Sequence, residues 1–139
     1  MMKSIRDGFG EALVELGEKN PDVVVLTADL AESTRVKAFA EKFPNRFFQV
    51  GVAEQALVTV AAGMAEAGKI PFTTSYAVFS PGRTFEQIKV TVALNERNSF
   101  TKCCIAYYYN RIIFDSFCLI KSFKDFVKIV TVNFNDVPV

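Results

Sequence analysis

The chain has 139 residues, half of them hydrophobic, and a formal charge of +1 at pH 7. That length suits one domain with a sizeable core, and so even a balance of charge gives no electrostatic basis for binding nucleic acid or an anionic membrane. The sequence contains no histidine, which removes the commonest general base and metal ligand, and neither a secretory leader nor a bilayer-length apolar run is expected, so a soluble cytoplasmic protein is.

Ser4 opens a first helix, with Asp7 in the place of a capping acid. Ile5, Phe9, Ala12, Leu13 and Leu16 mark its inner stripe, and Arg6, Glu11, Glu15 and Glu18 its wetter side. Gly8 and Gly10 each cost about 1 kcal/mol relative to alanine inside a helix, so close packing or backbone approach is the expected reason for them. Asn20-Pro21-Asp22 ends the helix. Residues 23–27 (VVVLT) form a continuous apolar run, typical of a strand covered on both faces, and Ala28-Asp29-Leu30 turns away at its end. Residues 33–43 read as a second helix closed by Pro44-Asn45, and residues 47–50 as a second strand.

The stretch from Gly51 onward is the centre of the chain. Ala53, Leu57, Val60, Ala61 and Met64 fall at helical spacing, and Ala56 and Val58 fill the other sides. A helix apolar nearly all round is expected to be buried, which sets the Glu54 carboxyl in an apolar niche at its first turn. Burying such a group is costly unless a protein donor or a ligand partners it, and a ligand is the expected partner. Gly68-Lys69 breaks this helix, residues 70–75 give a third strand, and the loop from Tyr76 to Arg83 follows. Thr84 and Gln87 have the spacing of a capping box opening a helix to about Asn95. Strict alternation of strand and helix predicts a three-layer α/β fold, with a mostly parallel sheet and helices on both faces. In such sheets ligands gather at the carboxyl ends of the strands, where Asp29-Leu30, residues 51–54 and residues 76–79 all lie.

A compositional seam falls near residue 98. Every glycine and every glutamate precedes it, and all three cysteines follow it. Cys103, Cys104 and Cys118 have no zinc-site spacing and read as buried thiols. Residues 103–109, 112–120 and 126–134 are β-rich apolar runs that would extend the sheet or form an exposed edge. The expected organisation is a domain over residues 1–98 and a divergent β-rich tail over residues 99–139.

Each candidate residue has a structural reading beside its chemical one. Glu54 is either satisfied by the helix N-terminus or poised to exchange a proton with a nitrogen base. Asp29 is a turn residue or a site residue, and Tyr76 and Phe79 are core or a ligand platform. Arg6 and Ser33 would ordinarily be surface or capping residues. The sequence has no Gly-rich phosphate loop, so a self-contained nucleotide site is not expected.

The series RDGFGEALVELGEKNPDVVVLTADLAEST, FPNRFFQVGVAEQ and IPFTTSYAVFSPGRTFEQIK over residues 3–98 resembles the pyrimidine-binding domain of transketolase, especially the separate C-terminal subunit of split transketolases. Deoxyxylulose-5-phosphate synthase and the β subunits of 2-oxoacid dehydrogenases are more distant relatives. The resemblance implies that Glu54 hydrogen-bonds the aminopyrimidine ring nitrogen of thiamine diphosphate. It implies that Tyr76 and Phe79 pack around that ring and that Asp29 and Leu30 lie near the cofactor at a dimer contact. Arg6 and Ser33 match positions that hold a sugar phosphate, a role suited to an Arg fork and a hydroxyl.

The resemblance further implies a diphosphate-binding N-terminal subunit that holds magnesium or calcium, and a homodimer contact. The tail departs from the family, lacking the Gly- and His-containing loop that touches the sugar, so the domain is expected to be truncated. Two readings follow: a subunit of an enzyme transferring two-carbon ketol units between sugar phosphates, or a non-catalytic fragment that only dimerises or binds a partner subunit.

Overall fold

Ser4 sets the start of helix α1 (Ile5–Lys19) through one hydroxyl: its Oγ accepts from the Asp7 N–H at 3.3 Å and donates to the Asp7 carboxylate at 2.7 Å. The other end of α1 is held by Arg46. Its guanidinium donates to the carbonyls of Gly17 (2.9 Å) and Asn20 (3.0 Å) and lies 4.0 Å from the centre of the Phe43 ring. The computed structural model describes residues 4–76, 78–93 and 104–108.

Strands β1 (Val23–Thr27), β2 (Phe47–Gln49), β3 (Ile70–Tyr76) and β4 (Cys104–Tyr108) form one sheet in the order β2-β1-β3-β4, every pair parallel. All five residues of β1 are buried, as a strand with neighbours on both edges and helices on both faces requires. Its alternate side chains enter two cores. Val23 and Val25 pack with Leu13 of α1, Val36, Phe39 of helix α2 (Lys37–Lys42) and Phe72 on one face. Val24, Leu26 and Ala28 pack with Leu57 and Ala61 of helix α3 (Glu54–Glu66) on the other. The three-layer α/β expectation therefore holds, and β4 continues the sheet beyond residue 98. The runs expected at 112–120 and 126–134 lie outside the described residues.

Three local expectations are corrected. The second helix spans only Lys37–Lys42, not 33–43. The hydroxyls of Ser33 and Thr34 both donate back to the Leu30 carbonyl (3.2 and 2.7 Å), and Arg35 takes a left-handed φ of 63°, so the preceding residues turn instead. Gly10 permits this turn to sit on α1, because a Cβ there would lie 2.3 Å from the Arg35 carbonyl oxygen. The expected capping box also does not form: the Thr84 hydroxyl meets that of Ser80 at 3.1 Å, and Gln87 Oε1 is buried without a partner. The chain makes one helical turn, α4 (Phe85–Gln87), and widens into a π-helix over Ile88–Ala93. Finally, α3 is buried on one face only. Leu57, Val58, Ala61, Ala62 and Ala65 are covered, whereas Gln55, Ala56, Thr59, Val60 and Gly63 are exposed in the isolated chain.

Candidate functional site

The carboxyl ends of β1, β2 and β3 carry two clefts with no lining residue in common. Glu54 occupies the deeper position. It is the first residue of α3 and is 2% exposed, so the apolar setting read from the sequence is present. Its partner is a protein cation: Arg83 Nη1 donates to Glu54 Oε2 at 3.2 Å. The Arg83 side chain is 51% exposed and closes one wall of a cleft of about 330 Å³ lined also by Val52, Ala53, Gln55 and Ala56.

Arg83 is joined to the aromatic loop by local geometry. The loop after β3 coils so that Phe79 N–H and Ser80 N–H both donate to the Tyr76 carbonyl, and Arg83 N–H to that of Phe79. Phe79 and Arg83 thus stand one helical turn apart. The guanidinium carbon lies 5.2 Å from the Phe79 ring centre, and the Phe79 and Tyr76 rings are 6.3 Å apart, both half-buried. The structure brings Glu54, Phe79 and Tyr76 into one chain of contacts, linked through Arg83.

Asp29, Leu30 and Ser33 line the second cleft, of about 300 Å³, with Ala31, Glu32 and Gln49. Asp29 is exposed and holds a left-handed φ of 59°. Gln49, opposite Thr27 in the sheet register, braces it: the Asp29 N–H donates to Gln49 Oε1 at 2.7 Å, and Gln49 Nε2 donates to Asp29 Oδ1 at 3.5 Å. The Leu30 N–H donates to the Thr27 hydroxyl at 3.4 Å. Arg6, reaching from α1, donates to the Ser33 carbonyl at 3.5 Å, so these two candidates meet across the backbone. Glu32 on the rim bonds Lys37 at 2.7 Å, which holds its carboxyl below the ordinary carboxylate range.

Sequence reasoning missed Arg83 and Gln49. A buried carboxyl demands a donor, and Arg83 stands four residues beyond Phe79 on a loop already marked as lying at a strand end. Gln49 carried no comparable signal, since its role depends on strand register.

Among the described residues no group of three His, Cys, Asp or Glu side chains is placed to hold a metal ion, and no helix is long and apolar enough to cross a membrane. The donor set at Glu54, a buried carboxylate partnered by a planar nitrogen cation that itself lies over the Phe79 ring, fits a planar nitrogen heterocycle.

The chain is similar to several known proteins. Residues 1–107 match the family described as "Transketolase, pyrimidine binding domain", a match that runs through most of β4. A protein of Methanocaldococcus jannaschii named as a transketolase C-terminal section is 49% identical over 96 residues, covering 69% of this chain and 30% of that relative. The 1-deoxy-D-xylulose-5-phosphate synthase of Dictyoglomus thermophilum is 49% identical over 88 residues, 63% of this chain and 14% of its own length. A 6-deoxy-6-sulfo-D-fructose transketolase subunit from a Clostridium species is 42% identical over 89 residues, 64% of this chain and 28% of its own. A solved structure described as a split gene transketolase, inactive beta4 tetramer, superposes with a TM-score of 0.65 at 48% identity, covering 74% of this chain and 33% of that one. The chain thus spans under a third of the length of these curated relatives. With residues 1–107 of its 139 matched, the chain belongs to the transketolase pyrimidine-binding domain family.

Proposed function

We propose that this chain supplies the aminopyrimidine half of a thiamine diphosphate site in a transketolase-type transferase, acting on sugar phosphates together with a subunit that binds the diphosphate and its magnesium or calcium. The observation that carries this reading is the Glu54 carboxyl, 2% exposed at the carboxyl edge of the sheet with one cationic donor. A carboxyl so placed can share a proton with a ring nitrogen in a site that excludes water, where the coupling between the two is strong. Thiamine diphosphate, held at its pyrimidine end by Glu54, Tyr76 and Phe79, would supply the thiazolium-carbon chemistry that ketol transfer needs. Glu54 holds and moves the proton at the pyrimidine ring nitrogen, and Tyr76 and Phe79 wall the ring. Asp29 and Leu30 line the edge of the cofactor site at a contact with a second copy, with Gln49 fixing the Asp29 backbone. Ser33, in the same cleft as Asp29 and Leu30, and Arg6, which donates to the Ser33 carbonyl, receive the sugar phosphate.

A second reading is favoured by one comparison. The solved relative described as an inactive beta4 tetramer assembles from one kind of subunit. By analogy, this chain self-associates without turnover, and residues 1–98 act as a truncated assembly domain.

One experiment separates the two. The full chain is mixed with a diphosphate-domain transketolase subunit, thiamine diphosphate and magnesium, and ketol transfer is assayed. Transfer that is abolished by Glu54→Gln supports the enzyme reading. A complex that forms and binds cofactor without any transfer supports the assembly reading instead.

A further inference from the structure

Arg83 is unusual among the cations in the ion pairs of the described residues. Its partner is a nearly fully buried carboxylate, whereas the Lys19, Lys37, Lys42 and Lys69 pairs join side chains that are all well exposed. The same guanidinium also lies over the Phe79 ring, at 5.2 Å. One side chain thus takes up both the acid and the aromatic face that the reading above gives to the pyrimidine.

The chemistry of the two occupants is alike. A guanidinium is planar and cationic, presents N–H donors in its plane and stacks on aromatic rings. An aminopyrimidine with a proton on its ring nitrogen shares each of these properties. A carboxylate and a ring face that accept the one will accept the other, but not both in the same place.

We infer that Arg83 is an internal occupant of the Glu54 subsite, and that a pyrimidine ring binds there only after the guanidinium leaves. The inference rests on the thiamine diphosphate reading. The Arg83 side chain is half-exposed, so it can swing to solvent without opening the core. While it stays, it keeps the buried carboxylate partnered and removes the penalty of an unpaired charge. Its departure is therefore coupled to arrival of a replacement N–H donor. The subsite discriminates for the same reason: a ring that cannot present a donor to Glu54 would leave a charge buried and alone, so it is rejected.

The test uses the full chain and 4-amino-2-methylpyrimidine as probe, followed through the amide resonances of Gln55 and Ala56. An occupant present nine-tenths of the time weakens apparent affinity about tenfold. Arg83→Ala is expected to bind the probe about tenfold more tightly than the natural chain, and to bind added guanidinium ion at low millimolar concentration, which the natural chain will not. Arg83→Lys, which keeps a cation near Glu54 but lacks the planar fork, guards against loss of folding and is expected to fall between the two. Probe binding by Arg83→Ala that is equal to or weaker than that of the natural chain overturns the inference. If this occurs while Glu54→Gln still abolishes ketol transfer in the assembled complex, the cofactor reading stands and only the role of Arg83 falls. Tightening in Arg83→Ala alongside ketol transfer that is indifferent to Glu54 keeps Arg83 as an occupant and sinks the cofactor reading.

Discussion

Alanine substitutions at Gly8 and Gly10, two residues apart on one helix, should have opposite effects. At Gly8 an added methyl group meets nothing within 4 Å, so the variant gains the helix preference of alanine, up to about 1 kcal/mol. At Gly10 the methyl would sit 2.3 Å from the Arg35 carbonyl oxygen and 3.1 Å from Arg35 Cβ. The oxygen belongs to backbone held at a left-handed φ of 63°, so no rotamer change relieves the clash. The loop must retreat by about 1 Å to reach ordinary contact, and overpacking of this kind costs roughly 1–3 kcal/mol. Net of a helix gain of about 1 kcal/mol, Gly10→Ala should destabilise the chain by up to about 2 kcal/mol, leaving the variants about 1–3 kcal/mol apart. Urea unfolding followed by circular dichroism reads this directly: the midpoint should rise for Gly8→Ala and fall for Gly10→Ala, with little change in slope. Equal midpoints would refute the close approach of α1 to the Arg35 turn, and with it the account of how residues 29–35 are seated at the sheet edge.

Arg46→Ala removes two donors from the terminal carbonyls of α1 and a cation from the Phe43 ring; a loss of about 1–3 kcal/mol is expected in the same unfolding experiment, and Arg46→Lys should recover little of it because lysine lacks the fork. Asp7 is held below its ordinary value by the Ser4 hydroxyl first and then by Arg35, while Glu18 and Glu32 are lowered by their bonds to Lys42 and Lys37. Depressed folded-state values mean that this stability is present above the ordinary carboxylate range and lost as pH falls through it. Unfolding midpoints should therefore drop from pH 6 to pH 3, and Lys42→Ala should flatten part of that drop. Lys37 is raised by the same Glu32 contact, so its contribution persists through neutral pH and fades only at strongly alkaline pH; Lys37→Ala should remove the alkaline part of the profile.

Much of the architecture was legible because it depends on local pattern. VVVLT is apolar on both faces and became the strand between two cores, and Ser4 with Asp7 marked a helix start that formed as expected. The burial of Glu54 followed from its neighbours in sequence. What escaped depends on partners distant in sequence. Arg83 meets Glu54 across 29 positions, and Gln49 meets Asp29 across 20, through strand register that no periodicity reveals. The second helix was overextended because Ser33 and Thr34 fit a helix pattern, yet their hydroxyls compete for the Leu30 carbonyl. The burial of α3 was overstated for a different reason: Ala56, Val60 and Gly63 have the composition of a covered surface, but nothing among the described residues covers them.

The central claim is that the Glu54 carboxyl shares a proton with a pyrimidine ring nitrogen. Nitrogen-15 magnetic resonance of ring-labelled thiamine diphosphate, bound to the complex of this chain with a diphosphate-domain subunit, measures that nitrogen itself. The ring-nitrogen signal should move toward the protonated position with the natural chain and return to its free-solution position with Glu54→Gln. A signal that stays at the free-solution position with the natural chain, or that moves equally in both complexes, would contradict the assignment of Glu54.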